Sequence, residues 1–159
     1  MTAAEDADMI RLAIEGFRSA TARVAAAPAT TALSMYAPLT EAAWWAICVD
    51  EAFDRTPGYR SRRNTSAAGQ TVCGLNYARS ALGHHRTFIA EPSGGLTIPF
   101  TIPFRIEVIP RWLPAEDLPT FDQQAWARPH YIARIAGRPV RATLADADEW
   151  FRAAEGLVL

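Results

Sequence analysis

A mainly α-helical bundle of four to five helices, with a short extended or β-hairpin insertion near residues 95–110, is the fold the sequence predicts. Three observations carry that reading. Apolar residues recur at three- and four-residue spacing along successive stretches of the chain. Between Ser93 and Val108 that period gives way to turn signals and alternation. The chain has 159 residues, half of them hydrophobic, which suits one domain with a single core.

The first helix is expected from about Glu5 to Ala26. Ile10, Ala13, Ile14, Phe17, Thr21 and Val24 repeat at helical spacing, Glu15, Arg18 and Arg23 take the other side, and Pro28 ends it. A second helix is expected from Thr40, with Thr40 as N-cap and Glu41 in the first turn. Its Trp45, Cys48, Val49, Ala52 and Phe53 form an apolar stripe that Trp44 and Ile47 widen, so a central position is expected. Asp50, Glu51 and Asp54 gather near its C-terminal end, the unfavourable end for acids, where Arg55, Arg60, Arg62 and Arg63 compensate. Residues 55–69 read as a loop of Thr56-Pro57-Gly58, the arginine group and Asn64-Thr65-Ser66. A third helix is expected from Ala68 to Leu82, with Val72, Leu75, Ala78 and Leu82 facing inward and Gly83 as its stop. Asn76, Arg79, Ser80 and Gly83 make a separate stripe of polar and small residues on it.

Ser93-Gly94-Gly95 is a turn signal, followed by the tandem Thr97-Ile98-Pro99-Phe100 and Thr101-Ile102-Pro103-Phe104. Phe104, Ile106 and Val108 alternate with Arg105 and Glu107, as in extended structure, and Pro99 and Pro103 exclude a central strand. Pro110, Pro114 and Pro119 bracket an extended connection through Trp112. A Pro-rich insertion is thus expected at about 92–120 within a single domain spanning 1–159. A helix over about Gln123 to Ala136 follows, with Trp126, Tyr131 and Ile135 inward and Gly137 at its end. Pro139 opens the last helix, whose face is Val140, Leu144, Ala147 and Phe151.

The formal net charge of −1 conceals an uneven distribution. Every basic residue is an arginine. Residues 55–90 hold Arg55, Arg60, Arg62, Arg63, Arg79 and Arg86 and no acid, a local charge of +6, while residues 1–54 carry −5 and residues 91–159 carry −2. Such a segment takes an anionic partner or is neutralised by acidic neighbours in the fold. The longest apolar run, Ala42 to Val49, is too short to span a bilayer, and Thr2-Ala3-Ala4-Glu5-Asp6 is unlike a secretory signal, so no membrane partner and a cytoplasmic location are expected. Cys48 and Cys73 sit among apolar neighbours and read as reduced core residues. Close ligand spacing for a metal is lacking, and no cofactor is expected. Phosphate-loop, nucleophile-elbow and zinc-protease signatures are also lacking. Trp44, Trp45, Trp112, Trp126 and Trp150 read as core or interface anchors, and Asp146, Asp148 and Glu149 as a solvated helix face.

The stretch Tyr77-Ala78-Arg79-Ser80-Ala81-Leu82-Gly83-His84-His85 resembles the R-x4-6-H signature of HEPN proteins, and both His84 and His85 fit the spacing from Arg79. The resemblance covers about residues 5–90. A second resemblance, to a group of uncharacterised actinobacterial proteins, rests on Glu41 to Ala46 and on Ala136 to Leu144. HEPN domains are helical bundles that typically dimerise with two such motifs facing one another. Many are metal-independent ribonucleases in toxin–antitoxin and phage-defence systems; others only bind partners. Carried to this chain, the resemblance implies a homodimer with Arg79, His84 and His85 as catalytic residues. RNA and an antitoxin or host protein are the implied partners. A histidine would act as general acid or base and Arg79 would stabilise charge on the phosphate. Asn76 and Ser80 would orient these groups, Tyr77 or Tyr59 would stack a base, and Arg60, Arg62, Arg63 and Arg86 would hold the RNA backbone. Ser80 stands where active members carry Asn or Asp. Five residues of ideal helix rotate by about 140°, so Arg79 and His84 share a face only if the helix ends near Gly83 or the pair forms across a dimer. Three functions follow: a ribonuclease, a non-catalytic interaction protein, and an RNA binder without cleavage.

Overall fold

In the computed structural model, residues 3–27, 32–83, 87–92 and 108–157 are described. They form helices α1 (Ala3–Ala26), α2 (Ala32–Phe53), α3 (Tyr59–Thr65), α4 (Ala67–Leu82), α5 (Arg128–Arg134) and α6 (Val140–Glu155). Strands β1 (Phe88–Pro92) and β2 (Val108–Trp112) lie between α4 and α5. The chain is thus mainly helical with a small β insertion. Among the described residues, no helix is long and apolar enough to cross a membrane.

Helices α1 and α2 form an antiparallel hairpin. Arg23 near the end of α1 pairs with Glu41 at 2.5 Å, and Asp6 near its start pairs with Arg55 just past α2 at 2.9 Å. Gly16 allows the close approach between them: a Cβ there would lie 2.6 Å from the Trp45 indole. Arg18 crosses to α6, donating to Asp148 at 2.9 Å and Glu155 at 2.8 Å. Helix α2 starts earlier than its sequence suggests, because Pro38 lies inside it. Thr40 is therefore not an N-cap; its hydroxyl donates to the Tyr36 carbonyl one turn back, at 2.8 Å.

Helix α4 is the axis of the bundle, packed against α2, α3, α5 and α6. Ser66 caps it, accepting from the Gly69 amide at 2.8 Å. The arginine segment before it is not a loop but the two-turn helix α3. Gly58, at φ +79°, makes the turn into it. A Cβ at Gly69 would sit 2.3 Å from the Arg63 carbonyl oxygen, so glycine lets α3 close against the first turn of α4. Gly74 does the same against the backbone of α5.

The two strands pair antiparallel, Phe88 opposite Trp112 and Pro92 opposite Val108. They flank the expected extended segment; the tandem TIPF lies outside the described residues. Past Trp112 the chain makes two 3₁₀ turns, Ala115–Asp117 and Asp122–Gln124, and α5 begins only at Arg128, with Pro129 in its first turn. Trp126 consequently sits in the preceding turn and is 49% exposed rather than inward. Gly137, at φ +71°, returns the chain to β2, where its amide donates to the Trp112 carbonyl at 3.0 Å.

Buried aromatic side chains supply the polar anchors of the core. Trp112 Nε1 donates to Thr143 Oγ1 at 2.7 Å, Tyr77 Oη to the Pro119 carbonyl at 2.8 Å and Tyr131 Oη to the Leu113 carbonyl at 2.7 Å. The deepest network centres on Asp50 of α2. Its carboxylate accepts from Arg63 Nη1 at 2.5 Å and Tyr59 Oη at 2.8 Å, and Tyr59 Oη accepts from Trp150 Nε1 at 3.0 Å. Three helices, α2, α3 and α6, thereby meet at one buried ion pair. Removing one partner strands the other charge, which costs about 3–5 kcal/mol, whereas apolar replacement of both costs far less. Asp50→Ala is therefore expected to lower stability by about 3–5 kcal/mol, and Asp50→Ala/Arg63→Met by clearly less than the sum of the single changes, in urea denaturation. Additive losses would show that the two groups do not act as a pair.

Candidate functional site

The seam between α2 and α4 leaves an outward stripe on each helix. On α2 it is Thr40, Trp44, Cys48 and Glu51, at successive helical turns; on α4 it is Asn76, Arg79, Ser80 and Gly83. Trp44 is 54% exposed. Arg79 lies over it, with the guanidinium carbon 4.8 Å from the indole centroid, a cation–π stack. No carboxylate among the described residues pairs with Arg79. Asp50 and Asp54 on α2 are engaged by Arg63 and Arg60.

Arg79 and Trp44 form one wall of a cleft of about 380 Å³, lined also by Thr40, Ser80, Gly83, Phe121, Gln123 and Gln124. Arg79 is the sole charged residue of that lining among the described residues. The Ser80 hydroxyl bonds back to the Asn76 carbonyl at 3.4 Å, which leaves it at the cleft wall. Helix α4 ends at Leu82 with Gly83 as its cap, where the sequence placed its stop. Gly83, at the cleft, directly precedes His84 in the chain; His84, His85 and Arg86 lie outside the described residues.

A second cleft, of about 370 Å³, is lined by Asp50, Glu51, Asp54, Arg60, Arg63, Asn76 and Trp126. One turn of α4 separates its Asn76 from Arg79. The guanidinium carbon of Arg63 lies 6.0 Å from the Trp126 ring centroid. Burial is the main cause of an upward push on the Asp50 carboxyl, opposed by Arg63 and by the Tyr59 hydroxyl. Asp54 is held below the usual carboxylate range by the hydrogen bond from Arg60. Cys48 and Cys73 are free thiols; burial pushes both upward, Cys73 to about 11, so neither is an activated nucleophile.

Several expected RNA contacts prove to be internal. Arg63 is only 8% exposed and is committed to Asp50, so it does not face a phosphate. Arg60 is bound to Asp54 and Arg55 to Asp6. The basic segment is thus largely neutralised by acids of α1 and α2, leaving Arg62 on the surface and Arg79 in the cleft. Tyr77 and Tyr59 are fully buried and anchor the core rather than stack a base. Conversely, the lining residues Thr40, Phe121, Gln123 and Gln124 were not marked by any sequence motif, and Trp44 read as core. The four-residue spacing of Thr40, Trp44 and Cys48 was the available signal for an outward stripe.

Comparison with protein-family profiles, curated proteins and solved structures finds no match in any of the three.

His130, on α5, is the one histidine among the described residues, and burial, then Arg63 and Arg134, hold its pKa below the model-peptide value of 6.5. The folded protein keeps this imidazole neutral where the unfolded chain protonates it, so acidification favours unfolding. Wild type is expected to lose stability relative to His130→Gln as the pH falls through 6.5, with a constant difference above about pH 7.5. Denaturation curves at stepped pH check this; a pH-independent difference contradicts it.

Proposed function

We propose that this chain is a HEPN-type ribonuclease acting in the cytoplasm, with the Arg79 cleft as its phosphate-binding centre. The observation that carries the reading is the placement of Arg79. Among the described residues it is an arginine without a carboxylate partner, set over an aromatic ring, in a cleft with no acid in its lining. The cap at Gly83 supports it, since His84 and His85 follow directly. The helical architecture agrees with the fold that the resemblance implies.

In this reading the ribose 2′-oxygen attacks the adjacent phosphorus and the P–O5′ bond breaks, leaving a 2′,3′-cyclic phosphate and a 5′-hydroxyl. One imidazole accepts the 2′-hydroxyl proton, and an imidazolium returns a proton to the departing O5′. Arg79 holds the non-bridging oxygens with its planar fork of donors as negative charge builds on them. Stacking on Trp44 fixes the guanidinium, so little ordering remains to be done when phosphate binds. A homodimer is part of the proposal, because a second copy supplies a further pair of histidines.

One observation favours a second reading. Trp44 and Trp126 are both about half exposed in neighbouring clefts, with Arg79 beside Trp44, and exposed Trp and Arg are the residues that dominate protein interfaces. A non-catalytic protein that docks an antitoxin or host protein would present such a surface.

Cleavage of single-stranded RNA in EDTA separates the two. Wild type is expected to yield cyclic-phosphate ends. His84→Ala/His85→Ala should slow cleavage by about 10²–10⁴, and Arg79→Ala by about 10²–10³. Cleavage undiminished in both variants would remove the site from this motif, and no cleavage by the wild type would leave the docking reading.

A further inference from the structure

The Arg79 cleft has more recognition chemistry than a phosphate needs. Its third wall comes from outside the motif-bearing helices, where the segment after β2 brings Phe121, Gln123 and Gln124 to the middle of α2 and the C-terminal end of α4. Phe121 is anchored there by an edge contact to buried Tyr77, with ring centroids 5.7 Å apart. Each Gln amide presents both a donor and an acceptor, and the hydroxyl oxygens of Thr40 and Ser80, whose protons go to the Tyr36 and Asn76 carbonyls, add two acceptors. Another wall is the Trp44–Arg79 cation–π pair. A cavity of about 380 Å³ lies at the small end of ligand pockets, which suits a single nucleotide and excludes a duplex.

We propose that this cleft holds one unstacked RNA base, layered on the Trp44–Arg79 stack with its edge read by the amides of Gln123 and Gln124. Guanidinium and indole planes are the surfaces on which single-stranded bases stack, and every base has a face to offer them. The amides supply selectivity, because a base edge with a mismatched donor pattern leaves a polar group of the cleft unpaired. The substrate is therefore single-stranded RNA, bound at an exposed base next to the phosphate that Arg79 holds. The base site rests on the RNA-cleaving reading, but binding can be measured without cleavage.

The test uses fluorescent 2′-O-methyl oligonucleotides, which lack the attacking hydroxyl and cannot be cut by this route. Binding is read by anisotropy for each homopolymer and for a duplex. The full-length wild type is expected to bind single strands at least tenfold more tightly than duplex. Trp44→Ala should lose roughly five- to a hundredfold in affinity, the range of one stacked base, while Trp44→Phe keeps most of it. Gln123→Ala/Gln124→Ala should flatten the preference among homopolymers with a smaller loss of affinity. Equal binding of single strand and duplex, or a Trp44→Ala protein that binds as wild type, would overturn the base site. So would competition by free mononucleotide at micromolar concentration, which would mark a nucleotide-binding pocket instead. Cleavage of unmodified RNA with these failures keeps the nuclease and ends the base site; strand discrimination without cleavage does the reverse.

Discussion

The buried pair between Asp50 and Arg63 is the constraint on which the rest of the molecule depends. Two charges taken out of water are costly, and they persist only when every lone pair and proton finds a partner. Here Asp50 accepts from Tyr59 as well as Arg63, and Trp150 completes the chain of donors. Because those groups come from α2, α3 and α6, the pair fixes where three helices meet. It also fixes where α4 begins, since Arg63 backbone atoms pack against Gly69.

That arrangement decides what remains for function. The arginine-rich segment read from the sequence as an RNA surface is turned inward or balanced: Arg63 by Asp50, Arg60 by Asp54, Arg55 by Asp6. Exposed pairs such as Arg60 with Asp54 contribute little to stability, yet they cancel local field and so weaken any attraction to an extended phosphate backbone. Arg79 differs. Among the described residues it meets an aromatic ring rather than a carboxylate, so no acid there cancels its charge. In the proposed function, recognition rests on one guanidinium and a shaped cleft, not on a basic patch.

Much of the bundle was legible in the sequence because it rests on local periodicity. Helices α1, α4 and α6 lie within a residue or two of where their apolar stripes and their Pro and Gly boundaries place them. The departures have local causes. Thr40 with Glu41 after it suggested a start at Thr40, but α2 runs back to Ala32 with Pro38 inside it. The segment 55–69 has the composition of a loop, and α3 forms there because Tyr59 and Arg63 are buried at helical spacing against Asp50. The acids at the end of α2 do pair with arginines of the group matched to them, Arg60 and Arg63; that Arg63 is internal and Arg79 outward could not be read, because it depends on contacts between helices and charge counting treats the two alike. The cleft was half legible. Its α4 wall of Arg79, Ser80 and Gly83 belongs to the polar stripe read there, whereas its Gln123 and Gln124 wall is a 3₁₀ turn that the periodicity had made the first turn of a helix.

The central claim is that RNA meets this chain at Arg79 and Trp44 while Arg63 stays internal. The direct measurement is a nitrogen-15 NMR titration of the protein with a short single-stranded 2′-O-methyl oligonucleotide, following arginine Nε–H and tryptophan indole signals. The account predicts that the signals of Arg79 and Trp44 shift progressively while those of Arg63, Trp112 and Trp150 stay in place. Shifts confined to Arg60 and Arg62, with Arg79 and Trp44 unmoved, would contradict it.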